Sequence, residues 1–177
     1  MKDIALHIMD ILQNSTRAKA TKIELNIEED PEKDRLTVVF KDNGHGMSEE
    51  TLQQVLNPFF TTRTTRKVGL GLSLLKQNAE FTGGSLTIES ELNVGTIVTV
   101  TFGLSHIDRP PLGDVAGTMV LTASAYPDIH FIMNYKTDKI DYIFDTVEIN
   151  EALDGMSIQE PEIVQYLMEM VRENMMS

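Results

Sequence analysis

The chain contains no cysteine and no tryptophan in its 177 residues. Without thiols there is no disulfide scaffold, no thiol nucleophile and no cysteine-ligated zinc. No apolar run approaches the roughly 20 residues of a membrane-spanning helix. The opening Met1-Lys2-Asp3-Ile4-Ala5-Leu6-His7 lacks the apolar core of a signal peptide. The expected location is therefore cytoplasmic, with no membrane partner. Positive charge is also scarce: 15 Lys and Arg stand against 27 Asp and Glu, a net charge of −12. The shortage is uneven. Residues 104–177 hold 4 basic against 13 acidic residues, and residues 1–103 hold 11 against 14. Both halves would repel a phosphate backbone, so no nucleic-acid partner is expected. An acidic segment either faces a basic partner or is simply solvated, and charge alone favours solvation.

What is present is ordinary for a soluble globular protein: 41% hydrophobic and 24% charged residues. The length fits one domain, or one domain with a small appendage. Asp3 to Ala18 reads as a helix, with Ile4, Ile8, Ile11, Leu12 and Ser15 on one face. His7, Asp10, Asn14 and Arg17 form a polar stripe on the other side. Thr21–Glu28 and Arg35–Lys41 alternate as two strands of a hairpin. Ser48 can cap a short helix that runs to Leu56. Thr61–Val68 is polar and basic without periodicity. Gly69-Leu70-Gly71-Leu72 leads into a second long helix that ends at Gly83-Gly84. Ser85–Glu91 and Thr96–Phe102 read as another hairpin. This alternation predicts a sheet covered on one face by helices. After a linker around Pro110-Pro111, Leu112–Tyr126 reads as a helix weakened by Gly113 and Gly117. Ile129–Tyr135 and Ile140–Phe144 read as a hairpin, and Glu162–Asn174 as a helix. The Ile129/Phe131/Met133/Tyr135 face either extends a sheet or packs on helices.

Four short elements carry chemistry. Asp10 and Asn14, one helical turn apart, can together hold a hydrated Mg²⁺, and the carboxylate can also orient or deprotonate a water or hydroxyl. Asp42-x-Gly44-x-Gly46 follows a strand. Its carboxylate can accept from an adenine amino group and would repel guanine, whose oxygen is an acceptor there. Gly69-Leu70-Gly71-Leu72 places glycines before a helix, where exposed N–H groups suit phosphate. It is neither a P-loop nor a dinucleotide fingerprint. Thr96 follows Gly95, and its hydroxyl can share a water with Asp42 and a base. Taken singly, each has a plain structural explanation: an exposed polar face, an ordinary turn, a helix start, a hairpin.

In this order the four resemble the GHKL superfamily of DNA gyrase B, the ninety-kilodalton heat-shock chaperones, histidine kinases and mismatch-repair ATPases. Asp10-Ile11-Leu12-Gln13-Asn14-Ser15-Thr16-Arg17 resembles its N box, and Asp42-Asn43-Gly44-His45-Gly46-Met47 its first glycine box. Pro58-Phe59-Phe60-Thr61-Thr62 resembles the Phe box, Gly69-Leu70-Gly71-Leu72-Ser73 the second glycine box, and Gly95-Thr96 the third. The resemblance covers about residues 4–103. It implies an α+β fold, the two-layer α/β sandwich called the Bergerat fold, binding ATP with Mg²⁺. It implies metal ligation by Asn14 with Asp10, adenine recognition by Asp42, and a lid over the phosphates between the Phe box and the second glycine box. On this reading Asp10 is the catalytic residue. The nucleotide site comprises Asn14, Arg17, Asp42, Gly44, Gly46, Met47, Phe60, Thr61, Arg63, Arg66, Lys67, Gly69, Leu70, Gly71, Leu72 and Thr96. Two features depart from the family pattern. Its catalytic ATPases usually carry Glu where this chain has Asp10, one methylene shorter. The lid is also short, with Arg63, Arg66 and Lys67 expected to neutralise the triphosphate.

The expected organisation is an ATP-binding domain over residues 1–104, a linker over 105–111 and a small α+β extension over 112–177. The N-box helix begins within the first ten residues, so the dimerising hairpin of a sensor kinase is not expected before it. His45, His106 and His130 lack a phosphoacceptor setting, and His7 is expected as a polar surface residue. The leading expectation is a histidine-kinase-like protein that passes the γ-phosphate, or reports nucleotide state, to a separate protein partner. The rivals are an ATPase switch and a non-catalytic nucleotide-binding module. The extension is expected to dock a partner or to mediate homodimerisation.

Overall fold

The computed structural model describes residues 3–56 and 66–176, the side chains of residues 66–70 excepted. The elements run α1 (Ile4–Arg17), β1 (Lys22–Asp30), β2 (Arg35–Asp42), α2 (Glu49–Val55), α3 (Arg66–Phe81), β3 (Ser85–Glu91) and β4 (Gly95–Gly103). Then follow α4 (Val115–Ala125), β5 (His130–Lys136), β6 (Asp141–Asp145), α5 (Thr146–Leu153) and α6 (Pro161–Met176). Among the described residues, no helix is long and apolar enough to cross a membrane.

The six described strands form one sheet in the order β3-β4-β2-β1-β5-β6. The first four strands are antiparallel neighbours, as the alternating patterns predict. Leu25, Ile27, Leu36, Val38, Val98, Val100 and Phe102 turn to one face and are buried there. Helices α1, α3, α4 and α6 close over that face, and Ile4, Ile8, Leu12, Leu75, Met119 and Val171 fill the layer between. This is the two-layer α/β sandwich that the sequence implies.

The Ile129/Phe131/Met133/Tyr135 face extends the sheet. Strand β5 lies parallel to β1, with Lys22 opposite His130 and Ile27 opposite Tyr135. Phe131 and Met133 are fully buried. Two side-chain bonds tie the strands: Asn134 Nδ2 donates to Asn26 Oδ1 at 2.6 Å, and the Tyr135 hydroxyl to Glu29 Oε2 at 2.5 Å. Burial, reinforced by the Glu29 carboxylate, pushes the Tyr135 phenol above its usual range. Residues 111 and 112 also hold the start of α1, since Ile4 N–H and Ala5 N–H donate to the Pro111 and Leu112 carbonyls at 2.9 Å.

Three helices differ from the sequence expectation. Helix α3 begins at Arg66, so Gly69 and Gly71 lie within its opening turns rather than before it. Helix α4 begins at Val115, because Asp114 caps it: Asp114 Oδ1 accepts from Gly117 N at 3.0 Å. The capping carboxylate occupies the space a Cβ at residue 117 would need, 2.3 Å from Oδ2, which explains that glycine. Arg172 of α6 also binds Asp114, at 2.9 Å, and that contact holds the carboxyl below its usual range. Helix α5 is absent from the periodicity reading. Its signal is a cap: Asp145 Oδ1 accepts from Val147 N at 2.9 Å, with Glu148 three residues on.

Two predictions follow from this packing. Val115, Met119, Val120, Phe131, Met133 and Phe144 are all buried in the shared core. Each is worth about 1.5–3 kcal/mol, so together they match the roughly 5–15 kcal/mol by which a domain is stable. A chain ended at Leu104 should show no cooperative thermal transition by circular dichroism. The second concerns acid. Burial tends to raise the Asp145 pKa, but the His130 hydrogen bond and the Val147 amide outweigh it, so the folded value lies below the ordinary 3.8. A depressed folded pKa lends stability that is complete above the unfolded value and is lost as pH falls through the folded one. Asp145→Asn should therefore lower the urea midpoint at pH 7, and the gap to the unaltered chain should narrow below about pH 4.

Candidate functional site

Helix α1 is amphipathic because its apolar residues recur at helical spacing, and that apolar face fixes where the polar stripe falls. The stripe meets α3. His7 is only 2% exposed, and its Nε2 lies 3.1 Å from Asn78 Nδ2 on α3. The expectation of a surface histidine is thus corrected: α3 packs over that position. One turn on, Asp10 is half-buried and faces Gly71, where an added Cβ would stand 3.9 Å from the Asp10 Cβ and Oδ2. The contacts 7–78 and 10–71 run antiparallel, so Asn14 lies further toward the N-terminal end of α3. The first four N–H groups of any helix have no partner within it. A Cβ at Gly71 would only touch Asp10 at ordinary contact distance, so the α1–α3 seam is close-set at this point. Arg17, in the last turn of α1, is exposed.

The second cluster forms where β2 ends. Asp42 stands level with Ile23 on β1 and Thr96 on β4. Its side chain is half-buried and held from two sides. Oδ2 accepts from the Ser15 hydroxyl at 2.6 Å, and Oδ1 accepts from the Gly44 amide at 2.9 Å. Each carboxylate oxygen keeps a further lone pair. The carboxylate is therefore oriented as an acceptor before any ligand arrives.

Glycines allow the surrounding loops to converge. Gly46 has φ +68, and a Cβ there would lie 2.1 Å from the Glu91 carbonyl oxygen. Gly95 has φ +145, and a Cβ there would lie 2.0 Å from the Asp42 carbonyl oxygen. Gly44 sits against Ala18 at the end of α1, where no side chain would fit. The loops are stitched by His45 N–H to Ala18 O at 2.8 Å and Asn93 N–H to His45 O at 2.7 Å. Thr96 shares a hydrogen bond with Ser90, their oxygens 2.8 Å apart, and Ser90 Oγ accepts from Met47 N at 2.8 Å.

The structure thus brings together Asp42, Gly44, Gly46, Met47 and Thr96 in one corner, and Asp10 and Gly71 along the adjoining helix seam, with Leu72 buried beneath it. Gly69 lies in the α3 backbone. Phe60, Thr61 and Arg63 lie outside the described residues, as do the side chains of Arg66, Lys67 and Leu70. Two residues were missed as site residues. Ser15 and Ser90 both orient the corner. Ser15 had a visible signal, as a buried hydroxyl on an otherwise apolar helix face.

Residues 2–106 match the family model described as histidine kinase-, DNA gyrase B-, and HSP90-like ATPase. The chain belongs to this family, and ATP binding is the function that membership assigns to the domain. The sensor histidine kinase YvrG of Bacillus subtilis is 31% identical over 99 residues, which is 52% of this chain and 17% of that protein. Sporulation kinase D of the same organism is 44% identical over 64 residues, which is 36% of this chain and 12% of that protein. The chain thus matches less than a fifth of the length of either relative. The crystal structure of the N-terminal domain of a DNA repair protein superposes with a TM-score of 0.57 at 15% identity, covering 82% of this chain and 52% of that one. The Aquifex aeolicus MutL ATPase domain complexed with ADP gives a TM-score of 0.51 at 20% identity, covering 77% and 60%. These coverages exceed the family-matched segment, so the shared fold takes in part of the extension.

Removing the Ser15 hydroxyl leaves Asp42 with one orienting donor. A hydrogen bond of this kind is worth about 1 kcal/mol. Ser15→Ala should therefore weaken ATP binding about fivefold in calorimetric titration and lower the thermal midpoint by about 2–4 °C.

Proposed function

We propose that the chain binds Mg·ATP as a histidine-kinase-like domain and passes the γ-phosphate, or the nucleotide state, to a separate protein partner. The observation that carries the reading is the Asp42 carboxylate, fixed as an acceptor by Ser15 and Gly44 at a corner where Gly46 and Gly95 let backbone approach closely. Such an acceptor suits the exocyclic amino group of adenine and repels the guanine oxygen in the same place. Thr96, level with Asp42 on the next strand, closes the side of the base pocket. Gly44, Gly46 and Met47 supply its floor.

The phosphates would then run along the α1–α3 seam. The opening amides of α3 favour negative charge, and Gly69 and Gly71 keep side chains out of their way. Arg17 at the end of α1 and the expected lid cations Arg63, Arg66 and Lys67, with Phe60 and Thr61 of the Phe box and Leu70 of the second glycine box, would complete this side. Phosphoryl transfer needs positioning and charge neutralisation above all, and these four cations would supply the neutralisation.

The donor set fits Mg²⁺. Asp10 and Asn14 offer hard oxygen atoms one turn apart, and this ion prefers one or two such protein ligands alongside waters and phosphate oxygens. When bound, the ion would offset phosphate charge. Asp10, half-buried beside Gly71, would also orient the acceptor hydroxyl or imidazole, or a water. Its shorter reach than the usual Glu favours metal holding and positioning over proton removal from a distant water.

The test follows labelled γ-phosphate from ATP supplied to the purified chain with Mg²⁺. Asp42→Asn replaces one acceptor by a donor and should weaken ATP binding about 10–150-fold, the equivalent of about 1.5–3 kcal/mol. ATP should bind more tightly than GTP. Near-normal ATP affinity in Asp42→Asn would sink the assignment. Labelled ATP that binds but stays intact points to an acceptor protein. Free phosphate lost in Asp10→Ala points instead to a self-sufficient ATPase switch.

A further inference from the structure

We propose that the outer edge of β6 is a docking site for an extended, basic segment of the partner protein, which adds to the sheet as a seventh strand. The inference deepens the partner reading above and rests on it. Among the described strands, β6 pairs with β5 alone and closes one end of the sheet. The hairpin turn fixes which backbone groups are available. Thr137 N–H donates to Ile140 O at 2.8 Å. The hydrogen-bonded pairs of an antiparallel ladder alternate, so Tyr142 and Phe144 bond to β5, whereas Asp141 and Ile143 turn their N–H and C=O outward. An edge with free groups of this kind is a template for strand addition.

The side chains say what the added strand should carry. Asp141, Ile143 and Asp145 share the sheet face away from the helices. Ile143 is 55% exposed, and Val147 just beyond it is 45% exposed. Two carboxylates therefore flank an uncovered apolar residue. Nearby basic side chains are Lys136, opposite Asp141 on β5, Lys139 in the turn, and His130, which holds Asp145 at 2.8 Å. Glu148 and Glu151 on α5 and Asp138 in the turn add negative charge. Residues 104–177 hold 4 basic against 13 acidic residues in all.

The same pattern disfavours a second copy of this chain. Antiparallel pairing about Ile143 would set Asp141 against Asp145 of the copy, twice. Parallel pairing in register would set each aspartate against itself. Like charges directly opposed destabilise a strand pair. The occupant that fits is a strand reading basic–x–apolar–x–basic. It would lie near the nucleotide corner. The row from Asp42 through Ile23 and Phe131 reaches Thr146, whose hydroxyl accepts from Phe131 N at 3.0 Å. A strand added outside β6 is four spacings from β2, or about 19 Å.

The experiment titrates the ¹⁵N-labelled full chain with two capped peptides, Thr-Lys-Thr-Ile-Thr-Lys-Thr and the same sequence with Glu for Lys, at low and high salt. The lysine peptide should shift the amides of β5 and β6, bind at least tenfold more weakly at high salt, and outcompete the glutamate peptide. Ile143→Pro removes an outward N–H that β5 does not use and should abolish the shifts. Asp141→Lys should weaken binding at least tenfold. Melting curves confirm that both variants fold. ATP affinity is measured on the same samples. Intact ATP binding with no peptide shifts, or shifts that survive Ile143→Pro, would overturn the docking site and leave the nucleotide reading standing. Absent ATP binding would remove the nucleotide reading instead. Dimerisation lost in Ile143→Pro would overturn the proposal in favour of a second copy.

Discussion

The hydrogen bond from Ser15 to Asp42 joins the two layers of this protein at the point where its chemistry is expected. Ser15 sits on the buried face of α1, among isoleucines and a leucine that could each have filled the position with less desolvation cost. A buried hydroxyl is tolerable only with a partner, and the partner is a carboxylate that itself would be costly to half-bury without donors. Each solves the other's problem. The same bond fixes the height of α1 over the sheet, because Asp42 is anchored in register between Ile23 and Thr96. The α1–α3 seam, with Asp10 at its centre, therefore inherits its position from this contact.

The extension continues the same architecture. Strand β5 adds to β1 in parallel, and α4 is buried along nearly its whole length because α1, α6 and the sheet enclose it. That enclosure explains why its sequence shows little amphipathic pattern: a helix covered on all sides has no reason to keep a polar face. The corner that holds Asp42 also touches the extension. Asn43 Oδ1 accepts from Thr21 N and Lys22 N at 2.8 and 2.9 Å, and the Thr21 carbonyl accepts from His130 N–H at 2.9 Å.

Much of this was legible beforehand, and the reasons differ by element. Strands β1 to β4 were readable because one face is buried and the other is not, which writes a period of two into Ile23, Leu25 and Ile27 or Leu36, Val38 and Phe40. The loop corner was readable because Gly44, Gly46 and Gly95 occupy backbone positions where a Cβ would clash. His7 was misread because one helix alone cannot show which neighbour will cover its polar stripe. The start of α3 was misplaced because glycine discourages a helix assignment, although three-dimensional context can hold it in one. Helix α5 was missed because its eight residues are too few for a period to show, and only the Asp145 cap marks it.

The parallel pairing of β1 with β5 also sets the order in which the protein can be made. Strand β1 leaves the ribosome before its partner, since Phe131 arrives only after three further strands and three helices, among the described elements, have emerged. Until then, β1 offers Ile23, Leu25 and Ile27 on a naked edge. Contacts so distant in sequence form late, since the intervening loop must close first. The nascent chain is therefore most prone to mispairing between the appearance of β4 and that of β5, and a chaperone that shields strand edges would act in that interval.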